Sequence, residues 1–449
     1  MPPETRARAE GRRVVVTGIG VVSSVGIGVA AFTEAIRAGR TGTFPITSFP
    51  TEGFPVTMAG EVSDFDAADW LERLTAEEWG RSAQFAAVAA RLAVRDAGID
   101  PETLGTVAAG SVMGTTGGES TVLQELAEAA HAGGLKSLAP EVVWRLPASR
   151  IANAVNSELG LTGEAQTVPT ACSASNFALG YAYDLVSGGE ADLMLAGGAD
   201  AVNRATHAGF FQLGALSPDV CRPFDAERAG ILTAEGGVVL LLEPLTAALA
   251  RGARIYAELL GYGANCDARH MVNPDAGSIA ECIRLAQADA GVGPEEIDYI
   301  CAHGTGTPTN DATEIAAARM VFGDRLPPIS SIKSAIGHTM GAASGLGAVI
   351  CCMALRDGFL PPTAHLRAVD PKLGPGVDPV PGTARPARPR VAQNHGFAFG
   401  GNNAITLFGR YEADRSSKVN EASEASEANR ANGAHGRVAA GAASGGEGT

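Results

Sequence analysis

Cys172, His303 and His338 are the residues whose types and surroundings suit nucleophilic and acid–base chemistry. Cys172 lies in "TVPTACSASNFALGYAYDLVSGGEADLMLAGGADA", which starts at Thr167 and reads as a loop entering a helix, followed by a buried strand. A cysteine at a helix N-terminus meets backbone N–H groups and the positive end of the helix dipole. Both favour a thiolate, and the same N–H groups can hold a developing oxyanion. A single free cysteine is more often an inert core residue, so the further signal must come from elsewhere. His303 stands at the end of a predicted strand in "CAHGTGTPTND", and His338 stands in the Gly-rich "KSAIGHTMGAASG".

The elements that must bring these residues together alternate along the chain. "RRVVVTGIGVVSSVG" from Arg12 reads as a buried strand and a Gly-rich turn, and its spacing does not match the GxGxxG of a dinucleotide site. From Thr75 to Gly98 the pattern predicts a helix with a capping box at Thr75 and Glu78, followed by a strand in "TVAAGSVMGTTGG". The helix after Cys172 extends to about Val186 and leads into the strand "DLMLAGGADA". Then come the strand "GGVVLLLEPL", the short helix "TAALARGA" and the strand "IYAELLGYGAN". A similar cycle repeats. It consists of the helix "SIAECIRLAQADAG", a strand ending in the His303 loop, the helix "DATEIAAARMVFG" capped by Asp311 and Glu314, and then strand, loop and long helix around His338. "AITLFGRYE" closes it as a strand. This alternation predicts an α/β body of two related halves with mostly parallel, buried sheets.

Composition narrows the class. The 449 residues are 45% hydrophobic and 18% charged with 57 glycines, as expected of a globular protein rich in tight turns. A net charge of −15 argues against a nucleic-acid binder. The seven cysteines, at 172, 221, 266, 282, 301, 351 and 352, form no CxxC pair, so neither a zinc site nor a disulfide framework is expected, and a reducing, cytoplasmic setting is the simplest reading. "MPPETRARAEGRR" lacks the apolar region of a secretory signal. "GAASGLGAVICCMAL" from Gly341 falls short of the ~20 residues that span a bilayer and is expected to be a buried helix. From about Glu412 large apolar residues almost vanish, which predicts a disordered tail.

"TACSAS", "HGTGTPTNDATE", "SIKSAIGHTMGAASG" and "GFAFGGNNA" together resemble the β-ketoacyl synthases of the thiolase superfamily, over about Arg12 to Gly409. The match is to the elongating Cys-His-His class, which includes the type II fatty-acid enzyme and the ketosynthase alpha subunit of polyketide systems. The resemblance implies a thiolase-like fold, layered α-β-α-β-α. A flexible N-terminus would occupy 1–11, a half carrying the nucleophile 12–255, a half carrying the histidines 256–411, and the tail 412–449. It implies a ping-pong Claisen condensation without metal or nicotinamide, on substrates carried by the phosphopantetheine of acyl carrier protein.

In that scheme Cys172 takes the acyl group, and the backbone N–H groups of Cys172 and Phe399 form the oxyanion hole. His303 and His338 stabilise the enolate left by decarboxylation. Lys333 supports the histidines and pairs with Glu314, beside which Asp311 is a second supporting carboxylate. Thr305 and Thr307 bind the pantetheine arm. Phe397 and Phe399 lie in the Gly-rich loop, with Phe399 as the gate to the acyl pocket. The family dimerises, and the matching strand "DLMLAGGADA" is the expected contact; the partner is a second copy or a chain-length-factor-like subunit. The sequence departs from the commoner family pattern at Ala398, at His395 in "NHGF", and in "TACSASN". His395 is expected to be structural. The alternative is a non-catalytic chain-length-factor-like subunit, against which the retention of Cys172, His303, Lys333 and His338 argues. A thiolase would need a second cysteine near the C-terminal Gly-rich loop, and none follows Cys352.

Overall fold

The computed structural model describes residues 11–412; the segments expected to be flexible at 1–11 and disordered at 412–449 lie almost wholly outside the described residues. Ten strands and one short partner, Gly26–Ile27, make an eleven-stranded sheet. In chain order they are β1 (Val14–Ser23), β2 (Ala109–Gly114), β3 (Ala165–Val168), β4 (Leu193–Asp200), β5 (Gly236–Pro244), β6 (Ala257–Cys266), β7 (Tyr299–Cys301), β8 (Ile329–Ser330), β9 (Val391–Phe397) and β10 (Asn402–Gly409). Their spatial order is β8-β7-β9-β10-β6-β1-β5-β4-β2-β3. Each half has the same plan. The outer strands pair in parallel, β2 with β3 and β4, and β7 with β8 and β9. The inner strands pair antiparallel, β4 with β5 and β5 with β1, and β9 with β10 and β10 with β6. The halves join where Val14–Val16 runs antiparallel to Ala257–Leu259.

The expectation of a mostly parallel sheet is therefore corrected to a mixed one. A strand buried on both faces reads as a continuous apolar run whichever way its neighbours point, as β5 does with every residue buried. The expected association strand is also corrected. β4 has β5 on one edge and β2 on the other, so its backbone groups are already paired, whereas β3 ends the sheet with one edge open.

Helices cover both faces. α1 (Arg81–Ala97) and α2 (Arg150–Leu159) pack Val88, Ala89, Ile151 and Val155 on Val22, Met113 and Leu241 of the first half. The turn-like glycines of the first strand belong to this contact. β1 continues through them, and a Cβ at Gly20 would lie 1.8 Å from the Ala89 carbonyl oxygen, so only glycine lets α1 lie so close. α1 starts at Arg81 rather than in the expected capping box. Thr75 precedes a 3-10 turn, Ala76–Glu78, and Trp79 is extended, which ends the turn. The first amides of α1, at Ser82 and Ala83, are instead received by the buried carboxylate of Glu119.

α3 (Ala174–Gly188), which follows Cys172, and α7 (Ala343–Asp357), which follows His338, form the central layer. Leu179 and Val186 of α3 and Leu346 and Ile350 of α7 share one core with Val16 and Leu240 from the first half and Ala392 and Phe408 from the second. Each such Val, Leu, Ile or Phe side chain contributes about 1.5–3 kcal/mol by leaving water. The apolar span Met340–Asp357 is 89% buried, in keeping with the expected core helix. On the outer face of the second half, α5 (Ala276–Ala290) and α6 (Pro308–Phe322) pack Ile279, Ile283 and Ile315 on Ile300, Ile405 and Leu407. α4 (Arg204–Gln212) follows β4 and brings Phe210 to the cleft described below.

The two central helices meet at their N-terminal turns through hydrogen bonds between small polar side chains of one and backbone groups of the other. Ser175 Oγ donates to the Gly341 carbonyl (2.5 Å), and the Asn176 amide donates to Ser344 Oγ (3.2 Å). Asn176 Nδ2 donates to the carbonyls of Asn394 and Ala404, while Asn394 Nδ2 donates back to Asn176 Oδ1 and to the Ser344 carbonyl. Asn176→Ala strips partners from these buried groups. It should lower the unfolding free energy by about 2–3 kcal/mol in urea titrations; a loss below about 0.5 kcal/mol would show that the network is not stabilising.

Candidate active site

Each central helix is entered through the same strained turn. Ala171 and Met340 both have positive φ, 53° and 52°, and each opens a 3-10 turn, Ala171–Ser173 or Met340–Ala342, that runs into its helix. A left-handed residue with a side chain costs on the order of 1–3 kcal/mol, so the surrounding packing must enforce the turn. Asp200 at the end of β4 is part of that enforcement. Its buried carboxylate accepts from the amides of Thr116, Gly117 and Gly341 and from Thr115 Oγ1. Burial pushes its pKa up to about 6 against those donors.

The first turn places Cys172 in the lining of a cleft of about 200 Å³. His303, His338, Thr305, Thr307, Phe397 and Phe399 also line it, so seven of the residues singled out in the sequence surround one space. The rings of His303 and His338 stand edge to face with centroids 5.6 Å apart. The Met340 amide donates to His338 Nδ1 (3.1 Å), which leaves the proton on Nε2. Burial first, then the charge of Lys333, holds both imidazoles well below the usual histidine range, with a further contribution at His303 from the neighbouring histidines. Both rings are neutral near pH 7.

Cys172 is 6% exposed, and burial pushes its thiol up to about 12. The charge of Lys333 and, more weakly, the nearby backbone amides of Cys172 and Phe399 work in the opposite direction, while the Asp200 charge adds to the rise. Backbone amides beside a buried sulfur can stabilise negative charge that develops there.

Lys333, Glu314 and Asp311 do not line the cleft; they hold its walls. Lys333 Nζ donates to the His303 carbonyl (2.5 Å), and burial lowers the pKa of its ammonium. Glu314 is fully buried and accepts from the amides of His303 and Gly304 (2.8 Å each). Asp311 accepts from the amides of Phe224 and Gly306, and burial pushes it up to about 6. The two carboxylates thus fasten the 303–306 loop, where Gly304 and Gly306 take positive φ. The expected helix cap is displaced. α6 begins at Pro308, and Thr307 accepts from the Asn310 amide, because proline lacks the N–H that a first turn leaves unpaired. The expected Lys333–Glu314 pair is corrected as well. Glu314 Oε1 is 2.8 Å from His395 Nδ1, and among the described residues no ion pair joins it to Lys333.

Two positions passed over in the sequence contribute here. Phe210 on α4 stacks on Phe399 at 5.6 Å. Asp200 had a visible signal, a carboxylate closing a strand otherwise wholly apolar.

Residues 11–248 match the family model described as the N-terminal domain of β-ketoacyl synthase, and residues 256–367 match its C-terminal domain. The chain belongs to the β-ketoacyl synthase family. It is similar to the 3-oxoacyl-[acyl-carrier-protein] synthase 2 of Synechocystis sp., with 36% identity over 90% of this chain and 100% of that protein. Nodulation protein E of Rhizobium sp. is 35% identical over 88% of this chain and 99% of its own length. Among solved structures, the ishigamide ketosynthase/chain length factor superposes with a TM-score of 0.88 and 49% identity, covering 90% of this chain and 100% of that one. A type II PKS acyl-carrier protein in complex with its ketosynthase gives 0.82 and 31%, covering 90% of this chain and 100% of that one. This β-ketoacyl synthase is accordingly an acyltransferase that extends acyl chains by decarboxylative condensation.

Because burial holds Cys172 as a thiol, its alkylation by iodoacetamide should keep accelerating up to at least pH 9, followed by mass mapping of the Cys172 peptide. A plateau near pH 7 would mean that Lys333 and the two amides outweigh burial.

Proposed function

We propose that Cys172 carries the growing acyl group and that His303 and His338 act on the malonyl unit that extends it. The observation that carries this reading is the convergence of one thiol and two neutral imidazoles around a single cleft, with the backbone amides of Cys172 and Phe399 beside the thiol. In the first half-reaction Cys172 Sγ attacks the carrier thioester. The C–S bond to pantetheine breaks, and the proton lost from Cys172 ends on the departing pantetheine thiol. The oxyanion formed in between sits against the amides of Cys172 and Phe399.

In the second half-reaction the malonyl thioester loses carbon dioxide, and the electron pair of the broken C–C bond becomes an enolate. Nε2–H of His338 can donate to the enolate oxygen, and His303 faces the same space. The enolate carbon attacks the Cys172 thioester carbon, the new C–C bond forms, and the Cys172 sulfur leaves as a thiolate that takes up a proton from solvent to return to the thiol. Loss of carbon dioxide supplies the driving force, so these steps call on no cofactor.

Thr305 and Thr307, whose hydroxyls lie 2.9 Å apart at the cleft wall, suit the amides of a pantetheine arm. Acyl carrier protein is the substrate carrier on this reading. Phe399, stacked on Phe210, acts as the gate to the acyl pocket, and Phe397 packs edge to face on His303. The open edge of β3 is the dimer contact, with a chain-length-factor-like subunit or a second copy. A specialised polyketide pathway is favoured by the 49% identity to the ishigamide ketosynthase/chain length factor against 36% to the Synechocystis protein. Seven free cysteines, six of them buried, support a reducing, cytoplasmic setting.

Cys172→Ala should abolish acyl transfer while keeping the fold, as intact-mass analysis would show. His303→Ala and His338→Ala should each slow carbon dioxide release from malonyl carrier protein by roughly a hundredfold. Wild-type acylation of the alanine variant, or unchanged release in the histidine variants, would contradict the assignment.

A further inference from the structure

We propose that His395 is a positioning residue for His303, a role that rests on His303 acting as described above. His395 lies on β9, is 1% exposed and has both ring nitrogens engaged. One chain of hydrogen bonds runs through it in a single direction. Gln287 Nε2 on α5 donates to Gln393 Oε1 (3.3 Å), and Gln393 Nε2 donates to His395 Nε2 (2.6 Å). With Nε2 accepting, the ring proton sits on Nδ1, which donates to Glu314 Oε1 (2.8 Å). That same oxygen receives the His303 amide, and Oε2 receives the Gly304 amide. Glu314 is therefore oriented from one side by His395 and from the other by the strand end it fastens.

A second contact acts on the ring rather than the backbone. His395 packs on Phe397 with centroids 5.3 Å apart, and Phe397 packs edge to face on His303 at 5.6 Å. Residue 395 thus constrains both the main chain and the side chain of His303 without reaching the cleft, whose lining does not include it. The Lys333 ammonium is left to hold the His303 carbonyl. No hydrogen bond or ring contact of this chain involves Cys172 or Phe399, so the two half-reactions should respond differently when it is cut.

The test compares His395→Leu, which removes both nitrogens, with His395→Asn, whose amide retains a donor near the Nδ1 position. Acylation of Cys172 by acyl carrier protein and carbon dioxide release from malonyl carrier protein are measured separately on the full chain. The leucine variant should release carbon dioxide about tenfold more slowly or worse, through kcat with KM within about twofold, because small displacements of a catalytic group are costly. Its acylation rate should stay within about twofold of wild type, and the asparagine variant should recover most of the loss. In a His303→Ala background, His395→Leu should cost nothing further, since residues acting through one group are not additive. The proposal is overturned by wild-type release in the leucine variant, by equal loss of both half-reactions, by no rescue with asparagine, or by additive losses with His303→Ala. If His395→Leu does not fold, Gln393→Met, which removes the donor to Nε2, is read in the same assays and should slow release without slowing acylation; unchanged release would again overturn it. Full activity in His303→Ala alone would instead remove the underlying reading of His303.

Discussion

The reacting groups come from two halves of the chain, so everything depends on how the N-terminal turns of α3 and α7 are pinned against each other. The first carries Cys172 and the second follows His338. Ser175, Asn176, Ser344 and Asn394 fasten them with short polar side chains that leave room for close backbone approach. Gly345 shows how tight the contact is, since a Cβ there would lie 2.5 Å from a Val238 methyl and 2.9 Å from Ser175 Oγ. Hydrophobic burial alone could hold two helices at several registers. A satisfied polar network allows only one, because each shifted register would leave buried amides unpaired.

The electrostatics follow from the same burial. A dry site raises the thiol and lowers the imidazoles, so the resting state carries a thiol and two neutral rings beneath one lysine charge. The buried carboxylates are spent on backbone amides rather than on proton transfer. Asp200 holds the Gly341 turn, Asp311 and Glu314 hold the His303 loop, and Glu119 caps α1. Each is placed where a loop must stay in a strained or glycine-dependent conformation.

The loop-to-helix position of Cys172 was legible in the sequence because local signals define it, namely Pro169, the small residues that follow, and the apolar run of α3. His303 was legible for a similar reason, at the end of a short apolar strand. Strand direction was not, since β1, β5 and β10 are buried on both faces and lose the alternation that would mark an antiparallel neighbour. The acidic pattern before "EIAAARMVFG" looked like a helix cap, but Pro308 and Thr307 start that helix earlier and free Asp311 and Glu314 for tertiary contacts. The partner of Glu314 could not be read locally either, because His395 is 81 residues away and reaches it only through the folding of β9 beside β7.

The central claim is that the acyl group on Cys172 and the enolate made beside His303 and His338 react within one cleft. A single-turnover experiment tests it most directly. Enzyme preloaded with an acyl group is mixed with malonyl carrier protein, while the Cys172 peptide mass and released carbon dioxide are followed together. The account predicts that the adduct resides on Cys172 and disappears with one carbon dioxide released per adduct lost and one β-ketoacyl product formed. Carbon dioxide release with the adduct intact, or product formation from an adduct on another residue, would contradict it.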